Sequence, residues 1–128
     1  MRDVVLTFLA ASCLCACLGD PTSRAKEFME NVYSGETMKA EEWITADTRY
    51  SRLFIIYGGI DAFIRDNYAE ALRNQGLKSV TVLNANRQDK VYTVNFSVIF
   101  NNGVVSNCHE TWVSEDGKWK ITFSSNGK

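Results

Sequence analysis

Three adjacent residues in the last third of the chain, Cys108, His109 and Glu110, have side chains suited to acid–base or nucleophilic chemistry. Alternating hydrophobicity around them predicts a β-strand, on which successive side chains point to opposite faces. Cys108 and Glu110 should therefore share one face, while His109 lies on the other. If Glu110 faces inward, loss of solvation would raise its pKa, and the carboxyl could bind a ligand or act as a base.

Catalysis by Glu110 would require further groups around the same pocket. Proton transfer at carbon needs a base together with hydrogen-bond donors that stabilise the developing oxyanion. Tyr33, Tyr57 and Asp61 could supply such groups, and Glu110, Tyr33 and Tyr57 form our candidate pocket. Three simpler interpretations stay open. Glu110 could lie at an open end of the domain, or it could pair with a Lys or Arg from a helix. A shift of the strand by one residue could also turn it to water.

The other three cysteines lie together at residues 13, 15 and 17. They follow an apolar stretch, residues 4–14, whose length is typical of the hydrophobic region of a signal peptide and too short to cross a membrane. The sequence LCAC at residues 14–17 resembles the bacterial lipobox, with an aliphatic residue first, a small residue third and then the cysteine that receives lipid. Cleavage before Cys13 would leave too few apolar residues ahead of the site, so Cys17 is the predicted lipidation site.

This interpretation divides the chain into four parts. We predict a signal peptide with lipobox over residues 1–16, a short lipid-anchored tether over 17–20, a folded domain over 21–125 and a tail over 126–128. The predicted location is the bacterial cell envelope, with the membrane contacted through lipidated Cys17. Leu18 rather than Asp follows Cys17, which in a Gram-negative cell favours the outer membrane, facing the periplasm.

Composition excludes several classes of protein. The chain has 128 residues with 14 Lys and Arg against 15 Asp and Glu, so no basic field favours nucleic acid. A hydrophobic content of 45% argues for one folded domain. Beyond the N-terminal segment only Cys108 and His109 remain of their types, so we expect no disulfide, no metal site and no cofactor.

The remaining sequence predicts helices first and strands afterwards. Asp20-Pro21 suits a helix start, with Asp20 as N-cap and Pro21 in the first turn. Further helical segments are predicted near Trp43, over Tyr50–Tyr57 and from Ile60 to Gln75, with Gly76 in the left-handed position that ends the last one. Four strands of an antiparallel meander follow, at about residues 78–86, 90–101, 104–114 and 118–125.

The loop length of the central hairpin decides which side chains share a face. A three-residue loop at Asn101-Asn102-Gly103 pairs Phe96 with Cys108 and Tyr92 with Trp112. This choice produces one continuous apolar face and places Glu110 on it, beside Val94. We therefore predict this loop.

Three segments carry a resemblance to a known fold: PTSRAKEFMENVYSGE at residues 21–36, VYTVNFSVIFNNG at 91–103 and WVSEDGKWKI at 112–121. Their order resembles the nuclear transport factor 2-like (NTF2-like), cystatin-like superfamily, and more narrowly its small bacterial lipoproteins. The resemblance implies an α+β fold, with N-terminal helices packed on a curved four-stranded antiparallel sheet that forms a cone. The superfamily contains isomerases, dehydratases, secretion-system components and non-catalytic binding domains, so the fold does not decide the function.

Our leading functional hypothesis is a lipid-anchored envelope lipoprotein whose domain binds an envelope protein or a small ligand without catalysis. One alternative is an accessory, immunity or exclusion lipoprotein of a secretion or conjugation system. Another is a small isomerase- or dehydratase-like enzyme that uses Glu110. The candidate partner surface comprises Trp43, Tyr50, Phe54 and His109, because exposed aromatic residues are enriched at interfaces. The outer sheet face could also pair two copies into a homodimer.

Overall fold

A four-stranded antiparallel sheet with strand order β1-β2-β3-β4 forms one layer of the protein in a computed structural model, which describes residues 19–123. The strands are β1 (Leu77–Gln88), β2 (Val91–Phe100), β3 (Val105–Glu115) and β4 (Lys118–Thr122). The period-2 pattern that predicted them is visible in β2, where Val94, Phe96, Val98 and Phe100 are buried. Four strands were predicted, and four are observed in the described part of the chain.

Five helices precede the sheet within the described residues. They are α1 (Thr22–Tyr33), α2 (Ala40–Trp43), α3 (Ala46–Arg49), α4 (Arg52–Tyr57) and α5 (Gly59–Arg73). The two long helices, α1 and α5, pack against each other, and α1 also packs against β1. None of these helices is both long and apolar enough to cross a membrane, among the residues described.

Phe28 of α1 lies at the centre of the hydrophobic core and is fully buried. Its ring lies 5.6 Å from that of Trp112 on β3, edge to face, and 5.6 Å from that of Trp43. Phe63 of α5 stacks on it at 6.2 Å. Burial of one such side chain contributes about 1.5–3 kcal/mol, so this aromatic cluster joins helices and sheet into one core.

The predicted hairpin register is confirmed. Phe96 lies opposite Cys108, Tyr92 opposite Trp112, and Val94 opposite Glu110. The loop has three residues because Phe100 N–H donates to Val104 O at 3.0 Å, and Gly103 adopts a φ of 91° that favours glycine. The interpretation that turned Glu110 to water is therefore wrong.

The helix ends differ from the prediction by one or two residues. At the start, Pro21 occupies the N-cap position, and Asp20 Oδ1 accepts a hydrogen bond from Thr22 N–H at 2.9 Å. At the end of α5, Gln75 rather than Gly76 is the first left-handed residue, with a φ of 70°. Gly76 N–H donates to Ala71 O at 2.7 Å and Gln75 N–H to Leu72 O at 3.2 Å, the two bonds of a Schellman motif.

The predicted aromatic stretch over Tyr50–Tyr57 is not one helix. Tyr50 is the C-terminal residue of the α3 turn, and α4 starts at Arg52 with Ser51 as its N-cap. Gly58, at a φ of 116°, then separates α4 from α5. The segment is therefore a short turn followed by a six-residue helix, and Tyr50, Leu53 and Tyr57 are all exposed.

Candidate functional site

A cavity of about 380 Å³ lies between the sheet and the two long helices. Because β3 alternates its side chains, Cys108 and Glu110 point from it toward the helices. The helices and β4 supply the other walls. The lining residues are Met29 and Tyr33 of α1, Phe63 and Asn67 of α5, Cys108–Thr111 of β3, Ile121 and Thr122 of β4, and Phe123.

Glu110 is the buried acid of this cavity, with 8% of its surface exposed. Its Oε1 atom has no hydrogen-bond partner, and no ion pair joins Glu110 to a described Lys or Arg. Burial raises the pKa of the carboxyl from 4.5 to about 8, and the Trp112 indole opposes this rise. Trp112 Nε1 likewise has no hydrogen-bond partner of good geometry, although it lies close enough to Glu110 to favour the ionised carboxylate. The alternative in which Glu110 pairs with a Lys or Arg from a helix is therefore wrong for the described residues.

Tyr33 and Cys108 share the cavity with Glu110. Burial raises the pKa of the Tyr33 hydroxyl well above its usual value, and the nearby Cys108, Glu70 and Glu110 add to the rise. Burial likewise raises the pKa of the Cys108 thiol from 9.0 to about 11, with further contributions from Glu110 and Glu70. At neutral pH the thiol is therefore protonated and a poor nucleophile.

Tyr57 does not line the cavity, contrary to our candidate pocket. It is 42% exposed, and its hydroxyl donates a hydrogen bond to Asp66 Oδ2 on α5 at 2.7 Å. This hydrogen bond holds the Tyr57 side chain against α5 rather than in the cavity. Asp61, in the first turn of α5, is also exposed. Of the predicted pocket, the fold brings together Glu110 and Tyr33.

Asn67 and Phe63 line the cavity although the sequence analysis did not assign them to a site. Phe63 belongs to the inner stripe of α5, and Asn67 lies one turn later, where its Nδ2 donates to Phe63 O at 2.8 Å. A polar residue within an otherwise apolar helical stripe was the available signal for this wall.

The fold exposes some residues of the predicted partner surface and buries others. Trp43 is 8% exposed and belongs to the core, where the Arg24 guanidinium lies 3.9 Å from the centre of its ring. Phe54 is half-buried and stacks on Phe123 at 5.5 Å. Tyr50 is 76% exposed, and His109 is exposed on the outer sheet face. Trp43 is therefore not part of an exposed surface.

No residue of α4 is buried. We define the α4 surface by its exposed apolar side chains and the tyrosine before it: Tyr50, Leu53, Ile55, Ile56 and Tyr57. Several large exposed apolar side chains in one short segment are unusual on a protein that functions as an isolated monomer. The helix borders the cavity through Phe54, since the ring of Phe123 forms part of the cavity wall.

Residues 19–123 contain no cluster of three or more His, Cys, Asp or Glu side chains that could hold a metal ion. No protein-family model matches the sequence, and no curated protein matches it. A solved structure from Campylobacter jejuni, described as a "Putative NTF2-like transpeptidase", is similar to this chain with a TM-score of 0.70. The sequences are 22% identical, and the match covers 83% of this chain and 100% of that one. The predicted NTF2-like α+β fold is thereby confirmed.

Proposed function

We propose that this protein is a lipid-anchored lipoprotein of the bacterial envelope whose NTF2-like domain binds a small, largely apolar ligand in the cavity around Glu110. The observation that carries the proposal is a buried carboxyl in the wall of a cavity of about 380 Å³, one oxygen of which has no hydrogen-bond partner. Leaving such a group unsatisfied costs about 1–3 kcal/mol, which a bound ligand with a matching polar group would recover. Small-molecule sites have this composition, with mostly apolar walls and few polar groups.

Two catalytic alternatives receive less support from the same residues. The description of the Campylobacter jejuni protein suggests transpeptidation, which proceeds through an activated serine or cysteine. Here the cavity thiol, Cys108, has a pKa near 11, and His109 lies on the opposite face of β3. An isomerase-like reaction would use Glu110 as base, but a pKa of about 8 keeps most of its carboxyl protonated at neutral pH. Binding without turnover is therefore the function we favour.

A methyl NMR experiment tests ligand binding. Met29 lines the cavity and Met38 is buried without lining it, so their methyl groups are a matched pair of reporters. The full chain, labelled at methionine methyls in lipid nanodiscs, is titrated with a library of small aromatic and aliphatic fragments. We expect fragments that shift the Met29 signal in a saturable way and leave Met38 in place. A library that never shifts Met29, or that always shifts both signals together, would contradict the proposal.

Membrane fractionation tests the anchor separately. Cys17→Ala removes the proposed lipidation site, and Cys13→Ala is the matched control in the same apolar segment. These residues lie outside the described range 19–123. We expect Cys17→Ala to release the protein from membranes and Cys13→Ala to leave it bound. If Cys17→Ala stays in the membrane fraction, the anchor proposal is wrong, whatever the result for the cavity.

A further inference from the structure

Among the described residues, no lysine or arginine lines the cavity that we propose as the ligand site. Within the same residues, Glu110 is its one acid, and Tyr33, Cys108 and His109 are the other ionisable side chains of the wall. His109 points to the outer sheet face, opposite Asn95. An anionic ligand would therefore enter without a positive partner, which makes the binding of a negative charge costly.

An acidic residue outside the cavity wall acts in the same direction as Glu110. Glu70 on α5 is close enough to act electrostatically on both Tyr33 and Cys108, as does Glu110. No described Lys or Arg contributes to the electrostatic environment of these three groups. The nearest buried cation along β4, Lys120, is held by Glu115 at 3.7 Å and by Asp116 at 3.6 Å. The acidic groups that act on the cavity, Glu70 and Glu110, are therefore not offset by a described Lys or Arg.

Aromatic rings form the apolar part of the wall. Phe63 and Phe123 meet at 5.0 Å with a tilt of 57°, and Tyr33 lies on the α1 side. The face of an aromatic ring attracts a cation, and a desolvated contact of this kind is stronger than an exposed one. The sulfur of Met29 adds a soft, polarisable surface beside them.

We propose that the cavity selects an organic cation, an ammonium group on an apolar body, with the ammonium held by Glu110 and the body packed among Tyr33, Phe63 and Phe123. This inference rests on the proposed ligand-binding function and names its ligand class. The ammonium N–H donates to the carboxylate of Glu110, whose side chain forms part of the cavity wall. The cavity volume of about 380 Å³ lies at the lower end of the range for small-molecule sites, so it suits a small aromatic or aliphatic body.

Binding of the cation releases a proton from Glu110. In the empty cavity the carboxyl is mostly protonated below about pH 8, and an ammonium in contact with it stabilises the ionised form. Affinity for the cation should thus rise with pH up to about 8, by at most about tenfold per pH unit, whereas affinity for a neutral ligand should not. Tyr33 and Cys108 remain protonated over this range because their pKa values are raised.

Three probes of the same shape test the inference: 4-phenylbutylammonium, 4-phenylbutanol and 4-phenylbutanoate. Each is titrated against the full chain in uncharged-lipid nanodiscs, with the Met29 methyl as reporter and Met38 as control. We expect the ammonium to bind about tenfold or more tightly than the alcohol at pH 7, with a ratio that grows from pH 6 to pH 8. The carboxylate should bind most weakly.

Glu110→Gln keeps the shape of the side chain and removes its negative charge. We expect it to reduce affinity for the ammonium about tenfold and to change affinity for the alcohol by less than about threefold. If alcohol and ammonium bind equally, or if Glu110→Gln affects both alike, the cation inference is wrong while the binding function stands. If the ammonium does not shift Met29 but a library fragment does, the cation inference also fails alone. If no compound shifts Met29, both proposals are wrong.

Discussion

Replacement of Glu110 by glutamine should make the stability of this protein less dependent on pH. The carboxyl is buried with an unpartnered oxygen, and its pKa is raised from 4.5 to about 8. Between these values the folded protein holds a proton that the unfolded chain has released. Rising pH therefore favours unfolding over this window, and the contribution of Glu110 to stability is greatest below pH 4.5.

The size of the effect follows from the same two values. One pKa unit corresponds to about 1.36 kcal/mol, so Glu110 lowers the free energy of unfolding by about 3 kcal/mol between pH 4.5 and pH 7. By pH 9 the loss reaches about 4 kcal/mol, and the difference between the two pKa values sets an upper limit of about 5 kcal/mol. A loss of this size is a large part of the stability of an ordinary domain.

Urea unfolding of the wild type and of Glu110→Gln at pH 5, 7 and 9 measures this contribution. We expect the two proteins to agree within about 1 kcal/mol at pH 5 and the variant to be more stable by about 3 kcal/mol at pH 7. Glu41→Gln, which replaces an exposed carboxyl on α2, is the matched control and should follow the wild type at every pH. Parallel curves for the wild type and Glu110→Gln would refute the conclusion that burial holds Glu110 protonated.

Three further substitutions test the scaffold by urea unfolding at pH 5. Gln75→Gly should raise the free energy of unfolding by about 0.5–1 kcal/mol, because Gln75 holds a φ of 70°. A loss of stability there would contradict the Schellman geometry of α5. Thr48→Val should cost about 1–3 kcal/mol, because Thr48 Oγ1 accepts the Phe123 N–H at 3.0 Å. Thr48→Ser, which keeps the hydroxyl, is its control and should retain most of that stability. Phe28→Ala should cost about 3–5 kcal/mol, and a cost below about 1 kcal/mol would place Phe28 outside the core.

The sheet and its register could be predicted because a single choice decided many contacts at once. A three-residue loop at residues 101–103 was the choice that placed Tyr92, Phe96, Cys108 and Trp112 on one apolar face. A shift by one residue would have exposed the whole set, which the hydrophobic effect penalises strongly. The inward position of Glu110 followed from this register, although nothing in its own sequence neighbourhood required a buried acid.

Short helices could not be predicted in the same way. Helical spacing of Tyr50, Phe54 and Tyr57 predicted one helix over residues 50–57, but Ser51 and Gly58 interrupt the segment and leave only six residues in α4. A helix this short has little cooperativity of its own, so its orientation depends on tertiary contacts such as the stack of Phe54 on Phe123. Trp43 was assigned to the surface for a related reason, since the contact with Arg24 depends on the path of α1.

The cavity itself depends on volumes that no local pattern records. Its walls come from two helices, two strands and Phe123, and the space remains because the side chains that face it do not fill it. The helical pattern assigned Met29 and Phe63 to the core, as most residues at such positions are. Only the assembled fold shows that part of this face borders open space.

The outer edge of the sheet has a consequence for aggregation. Strand β1 forms that edge, and its pairing with β2 shifts between Leu77 and Ser79 and again between Val82 and Asn84. The longest regular run that remains, Asn84–Gln88, has five residues. Stacked amyloid-like strands are formed by regular segments of about six or seven residues. The two irregularities therefore limit the addition of foreign strands to β1, which protects a newly made chain while neighbouring copies are still unfolded.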